Sequence, residues 1–401
     1  MTISFNKPFV SGKELEYVMD ACKRQQIAGG GYYTHLCHQY LEKKYNYKKV
    51  LLTTSCTDAL EMSAILLDIQ PGDEVIIPSY TFVSTANAFV LRGARIVFID
   101  CLPEFPNLDA AAIEKLITPK TKAIIAVHYA GVACKMNEIM ELAEKYGLFV
   151  VEDAAQAIDA TYNGRPLGGI GHLGCISFHE TKNVSCGEGG VLIINDDRFI
   201  ERASVIWEKG TNRSAFTRGE VKKYEWMDVG SSFLPSELTA AFLYAQLEYI
   251  EYIQSERIKT WNYYREHITA AVQLPAIPSY ASNNAHIFFL LSQRPAERKQ
   301  LQDYLRKKNI QATTHYLPLQ MSKYYAGKHD GRELPHTSYY SNNLLRLPLY
   351  VGLTRNEQDH IIEHINLFMS RRAHLLVAPA DETAVIDIRE SNLQLPISKI
   401  L

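Results

Sequence analysis

The segment Gly174-Cys-Ile-Ser-Phe-His-Glu-Thr-Lys182-Asn-Val-Ser-Cys-Gly-Glu-Gly-Gly190 is the pivot of the chain. A short apolar strand enters a polar turn that carries one lysine. A glycine-rich run then leads into a second strand, Val191-Leu-Ile-Ile-Asn195. A lysine caught between two buried strands is unusual, because an ammonium loses heavily on leaving water. Such a lysine is neutral, paired or covalently used, unless the turn is a solvated loop.

Outward from this segment, strands and helices alternate from Val50 onward. Val50-Leu-Leu-Thr53 is a short strand, and Thr54-Ser-Cys-Thr-Asp58 opens a helix that runs to Leu67. Hydroxyl residues at a helix start directly after a strand make either an anion site or an ordinary N-cap. Glu74–Pro78, Ala94–Asp100, Lys122–Val127 and Leu148–Asp153 read as further strands, with helices between them. Repeated strand–helix–strand units with Val/Ile-rich strands predict a mostly parallel sheet covered on both faces. Ligands then lie beyond the carboxyl ends of the strands, where Cys56, Phe82, His128 and Asp153 fall.

Upstream, Gly12–Gln26 reads as a helix with Leu15, Val18, Met19 and Cys22 on one apolar face. Gly29-Gly30-Gly31 is a plain turn or a loop lying against a ligand, and a second helix covers Thr34–Tyr45. Downstream, Asp197–Glu208 is helical, and the polar, tyrosine-bearing stretch 210–227 is an excursion or a partner contact. Pro235–Ile258 reads as one long helix joining two domains. Residues 260–370 mix helices at 296–308 and 356–368 with strands at 285–291 and 311–316, an α+β pattern. The expected organisation is an α/β domain over 1–250, a smaller α+β domain over 251–370, and an extension over 371–401.

At 401 residues, with 47% hydrophobic and 21% charged residues, the composition is that of an ordinary two-domain globular protein. A net charge of −2 gives no basic footprint for nucleic acid. Seven scattered cysteines, odd in number and without C-x-x-C spacing, argue against disulfides and against a metal site. They fit a reducing cytosol. No stretch approaches a membrane span, so neither nucleic acid nor membrane is an expected partner.

Pyridoxal phosphate (PLP) chemistry needs a lysine to form an imine, an acid for the pyridine nitrogen, a platform for the ring, a group near O3′ and a phosphate cup. Lys182, Asp153, Phe82 and Gln156 are candidates for the first four. Thr57, the N–H of Cys56 and Ser177 are candidates for the cup. Each has a plain structural counterpart: Asp153 as a helix cap, Phe82 as core, Ser177 as a strand serine. Their joint occurrence in this order favours the PLP reading.

The segments Glu152-Asp-Ala-Ala-Gln156 and Ser177-Phe-His-Glu-Thr-Lys182, followed by Gly187-Glu-Gly-Gly190, resemble the DegT/DnrJ/EryC family of sugar-nucleotide aminotransferases. The resemblance runs from about residue 4 to 370. It includes Thr54-Ser-Cys-Thr57, Val127-His-Tyr-Ala-Gly131 and His315-Tyr-Leu-Pro-Leu319. It implies PLP fold type I, a homodimer with active sites at the interface, and L-glutamate as amino donor. Leu66–Val75, Ser84–Gly93 and Lys209–Arg213 look most like members that aminate C4 of dTDP-4-dehydro-6-deoxy-D-glucose for the enterobacterial common antigen. The implied product is dTDP-4-amino-4,6-dideoxy-D-galactose.

The resemblance further points to His128, Tyr129, Asn212, Arg213, His315 and Tyr316 as substrate-binding positions. Ser232 stands where many members place an asparagine that reaches the neighbouring subunit's phosphate. Pro318-Leu319-Gln320 replaces the family's Pro-Leu-His. The alternatives are amination at C3 of a 3-keto isomer, or PLP binding without catalysis. The extension has apolar runs Leu375-Leu-Val377 and Ala384-Val-Ile386. These are too short for an anchor and too apolar for a solvated linker, so the extension is expected to pack on the folded dimer.

Overall fold

Apolar strands without a polar face have to be covered on both sides, and the computed structural model, which describes residues 2–373, does this with helices. The strands are β1 (Lys49–Thr53), β2 (Glu74–Pro78), β3 (Arg95–Ile99), β4 (Thr121–Val127), β5 (Phe149–Asp153), β6 (Thr161–Tyr162), β7 (Arg165–Pro166), β8 (Leu173–Ser177), β9 (Gly190–Ile194), β10 (Phe289–Leu291) and β11 (Leu344–Arg346). The helices are α1 (Glu14–Lys23), α2 (Tyr32–Tyr45), α3 (Cys56–Leu66), α4 (Val83–Val90), α5 (Ala110–Ile113), α6 (Met136–Tyr146), α7 (Ile200–Trp207), α8 (Arg213–Thr217), α9 (Glu237–Glu248), α10 (Ile250–His267), α11 (Pro295–Lys307), α12 (Pro335–Asn343) and α13 (Arg355–Ala373).

Seven strands form one sheet in the order β1-β9-β8-β5-β4-β2-β3. All neighbours run parallel except β9, which is antiparallel to both β1 and β8. Alternation along the strands sends Ile76, Ile124 and Ala126 into one core, and Val75, Ile77, Ala123 and Ile125 into the other. This is the predicted α/β architecture, and it is the fold type I sheet. A third core packs Trp261, Tyr264, Phe288, Leu290, Leu305 and Ile365 around the antiparallel β10–β11 pair.

Three expectations need correction. The apolar stripe on α1 faces the core only in part: Val18 packs against it, but Leu15 and Met19 are 71% and 59% exposed, and Cys22 is exposed too. α1 instead turns Glu14 inward, where the carboxylate accepts the N–H groups of Ser11 and Gly12 and the Gln246 amide of α9. The helix expected over 235–258 is two helices, because Tyr249 leaves helical geometry at φ −99° and ψ 6°. The strand expected at 311–316 pairs with β11 only at Thr313. Its neighbour Gln311 gives its N–H to Ile3 of the N-terminal segment instead, and β11 takes the ladder position beside β10. The extension lies outside the described residues from position 374 onward.

Glu237, buried at the start of α9, supplies the acceptors that the first turn of α2 lacks. Its carboxylate takes the N–H groups of Gly31 (3.0 Å), Tyr33 (2.7 Å) and Thr34 (3.1 Å), along with the Thr34 hydroxyl. Glu237→Ala would leave three amides without partners in a buried place. It is expected to cost about 3 kcal/mol or more in urea unfolding. A cost below about 1 kcal/mol would show that water replaces the carboxylate.

Candidate active site

The carboxyl ends of β1, β2, β4, β5 and β8 open on one cavity of about 710 Å³, a size typical of ligand sites. β9, running the other way, brings Gly190 to this edge opposite Thr53 and Ser177. A Cβ on Gly190 would lie 2.4 Å from the backbone N of Cys56, so only glycine lets the start of α3 come this close.

Lys182 reaches the cavity from a loop tied down at both ends. Glu180 N–H donates to Gly187 O, and Phe178 N–H to Gly189 O, each at 2.8 Å. Just past the lysine, Asn183 Nδ2 donates at 2.8 Å to Gln254 Oε1 on α10 and to Asn284 O. Lys182 has no carboxylate within ion-pair distance among the described residues. Burial pulls its ammonium below the ordinary lysine range. Cys56 and Asp153 oppose that shift and Arg346 adds to it. A lysine so placed is closer to a neutral nucleophile and base than a surface lysine is.

Asp153 ends β5 almost fully buried, with Oδ2 accepting the Thr85 hydroxyl at 2.7 Å and Oδ1 the Ala155 N–H at 3.2 Å. No lysine or arginine pairs with it among the described residues, so a cationic group of a ligand could meet it. Beside it, Gln156 is fixed at both ends: Oε1 accepts Ala130 N–H at 2.6 Å, and Nε2 donates to Tyr316 Oη at 3.0 Å.

The anion cradle lies at the start of α3. Ser55 caps the helix through Asp58 N–H, which leaves the first-turn amides of Cys56 and Thr57 without acceptors among the described residues. The Thr57 hydroxyl donates to Ser84 Oγ at 2.8 Å, and Ser177 lines the same cavity. Unused amides at a helix start beside three hydroxyls suit a phosphate group.

Of the positions singled out from sequence, Cys56, Thr57, Phe82, Asp153, Gln156, Ser177, Lys182, His315 and Tyr316 share this cavity. His315 stacks on Tyr316 at 3.9 Å and 9°. His128 also borders it, but both ring nitrogens are occupied: Nδ1 accepts Cys134 N–H, and Nε2 donates to Glu152 at 2.9 Å. His128 is thus a buried brace with no polar atom for a substrate. Tyr129 is fully buried, with its hydroxyl on His315 Nδ1 at 3.2 Å, and supports that ring from behind. Asn212, Arg213 and Ser232 lie outside the cavity, on the segment between α7 and α9. Thr85, Glu152, Arg257, His286 and Arg346 went unnoticed in the sequence. Thr85 had a signal, since a hydroxyl just past a strand end is placed to meet an acid at the neighbouring strand's end. Glu152 stands in the segment Glu152-Asp-Ala-Ala-Gln156 that carries the family resemblance, but nothing there gives it a role, and Arg257, His286 and Arg346 had no signal.

Residues 9–366 match the profile of the DegT/DnrJ/EryC1/StrS aminotransferase family. An uncharacterized protein of Methanocaldococcus jannaschii is 31% identical over 374 residues, 90% of this chain and 95% of its own length. The solved aminotransferase TlmJ from Streptoalloteichus hindustanus superposes with a TM-score of 0.86 at 26% identity, covering 92% of this chain and 100% of its own. DesV from S. venezuelae, solved in complex with a ketimine intermediate, gives 0.83 at 27% identity, covering 90% and 95%. The cavity is that of an aminotransferase whose cofactor is PLP. Its residues fit that group: a carboxylate with no cationic partner among the described residues, a desolvated lysine and a helix start with unused amides line one space.

Asp153→Asn keeps the shape of this site and removes its charge. Turnover is expected to fall about a hundredfold or more, with PLP still bound. Near-normal rates in a PLP-loaded variant would make Asp153 a structural cap.

Proposed function

This chain belongs to the DegT/DnrJ/EryC1/StrS aminotransferase family, and from that premise we propose that it carries an amino group from L-glutamate to C4 of dTDP-4-dehydro-6-deoxy-D-glucose, forming dTDP-4-amino-4,6-dideoxy-D-galactose. The observation that carries the reading is the convergence of Lys182, Asp153 and the hydroxyl cradle on one cavity. The choice of C4 over C3 rests on the segments Leu66–Val75, Ser84–Gly93 and Lys209–Arg213. PLP, when bound, supplies an aldehyde to take up the amine and a ring that draws electrons from the adjacent carbon.

In this reading Lys182 Nζ would hold PLP through its aldehyde carbon and, as a free amine, would be the base that moves the proton at the donor's amine-bearing carbon. Asp153, its carboxylate fixed by Thr85, would hold the ring nitrogen. Gln156 would support the ring's O3′ side, and Phe82 would cover the ring from the cavity mouth. The amides of Cys56 and Thr57, with Ser177, would hold the phosphate. His315 and Tyr316 face the sugar.

We read the protein as a cytosolic symmetric dimer with shared sites, to which Ser232, Asn212 and Arg213 contribute across the interface. Those three do not line the cofactor cavity of their own chain, and nearby Trp226 is 84% exposed. No helix among the described residues is long and apolar enough to cross a membrane. We place the boundary between a cofactor domain and a smaller domain near residue 250, which the break at Tyr249 supports.

The test is turnover with L-glutamate and either the 4-keto or the 3-keto dTDP sugar, with proton couplings of the product read at the new amine. Conversion of the 4-keto sugar to the galacto product is expected. Conversion of the 3-keto isomer alone would move the chemistry to C3. Lys182→Ala is expected to show no multiple turnover, and sustained turnover by it would refute the assignment of the base.

A further inference from the structure

His286 lines the cavity just before β10, and each of its polar atoms but one is held. Its N–H donates to Asn284 Oδ1 at 3.1 Å, and its carbonyl accepts Arg257 Nη2 at 2.8 Å. Asn284 is fixed in turn, with Nδ2 donating to Gln156 O at 2.8 Å and to Ile158 O at 3.0 Å. Between the two, Ala285 takes the left-handed conformation at φ 50°. That conformation is strained for a residue with a side chain and persists where its surroundings impose it.

The state of the ring follows from Asn183, the residue after Lys182. Asn183 Nδ2 donates at 2.8 Å to the Asn284 carbonyl, which is an acceptor only, so the orientation of this amide is decided. It presents Oδ1 to His286 Nδ1 at 2.8 Å, and Nδ1 therefore carries a proton. Burial, with Lys182 and Arg257 nearby, holds the ring well below the ordinary histidine pKa, so it is neutral at pH 7. Nε2 is then a bare acceptor. It makes no hydrogen bond among the described residues, and it is not sealed off from the cavity that the ring lines.

We infer that His286 Nε2 accepts a ring hydroxyl of the keto sugar, and so favours the sugar over the keto acid as the molecule to be aminated. The inference rests on the proposed reading of this protein as a C4 aminotransferase. A bare imidazole nitrogen can be completed only by a donor. 2-Oxoglutarate has none at neutral pH, since a ketone and two carboxylates are all acceptors. Glutamate has only the amine that reacts. A 4-keto-6-deoxy hexose keeps hydroxyls on C2 and C3, and both are donors. The nearest polar neighbours cannot take their place: Asn183 is spent on Gln254, Asn284 and the other ring nitrogen, and Arg257 Nε and Nη2 serve the carbonyls of Ala285 and His286. An acceptor held this firmly and left open suits one fixed hydroxyl, because little ordering remains to be done on binding.

The test uses PLP-loaded His286→Asn and His286→Gln, with folding checked by melting and the glutamate and keto-sugar half-reactions followed separately by cofactor absorbance. Asparagine still offers Asn183 a donor but leaves nothing at the Nε2 position, whereas glutamine brings an acceptor oxygen close to it. For His286→Asn, kcat/KM in the keto-sugar half-reaction is expected to fall about tenfold or more, the loss of one hydrogen bond to substrate. The glutamate half-reaction is expected to change by no more than about threefold. His286→Gln should recover part of the loss. Wild-type enzyme is expected to disfavour either the 2-deoxy or the 3-deoxy form of the keto sugar by about tenfold, and His286→Asn to treat that analogue and the full sugar alike, because the partner is already gone. Wild-type enzyme indifferent to both deoxy forms would overturn the inference whether or not the variants fold. So would His286→Asn that keeps the discrimination, or that loses the glutamate half-reaction alone. Equal loss of both halves in a folded variant would overturn it too, by making His286 a support for the Lys182 loop. If the enzyme aminates the 3-keto isomer instead, the C4 reading fails, while the same comparison with deoxy forms of that isomer still decides His286.

Discussion

The proposed chemistry of this molecule depends on keeping the Lys182 amine out of water without giving it a carboxylate partner. Burial lowers its proton affinity, and the counter-pull from Cys56 and Asp153 is incomplete. An exposed lysine would stay protonated and inert near neutral pH, and an ion-paired one would be more so. The surrounding fold is arranged around that condition. The loop is stitched across Phe178–Gly189, Asn183 anchors it to α10, and glycine at position 190 lets β9 press against the start of α3.

The second requirement is a set of rigid supports behind the residues that face the cavity. Glu152, next to Asp153 but pointing the other way from the sheet, accepts N–H groups from Gly168, Ile170 and Gly171 as well as His128. That one buried carboxylate ties β4, β5 and the turn before β8 together just below the site. Thr85 orients Asp153, and Tyr129 backs His315. Groups held this firmly need little reorganisation when charge develops, which is where preorganised sites gain most of their effect.

Much of this was legible in the sequence, and the rest was not for identifiable reasons. Val/Ile-rich runs separated by helical periods located every strand of the large sheet, and the rule that ligands sit at strand carboxyl ends picked out Cys56, Phe82 and Asp153, which line one cavity. Hydrophobic periodicity marks the apolar face of α1 but does not say how much of it is buried, and Leu15 and Met19 stay exposed while Val18 packs inward. His128 sat at a strand end like its neighbours, yet a histidine there serves equally as a brace, and only its two occupied nitrogens decide which. Arg346 and Arg257 enter the cavity from elements distant in sequence, and no local pattern marks them.

The most direct measurement of the central claim is borohydride reduction of the PLP-loaded protein, followed by peptide mass mapping. The account predicts a pyridoxyl adduct on Lys182 and on no other lysine, lost when Lys182 is replaced. An adduct on a different lysine, or a PLP-loaded protein that yields none, would contradict it.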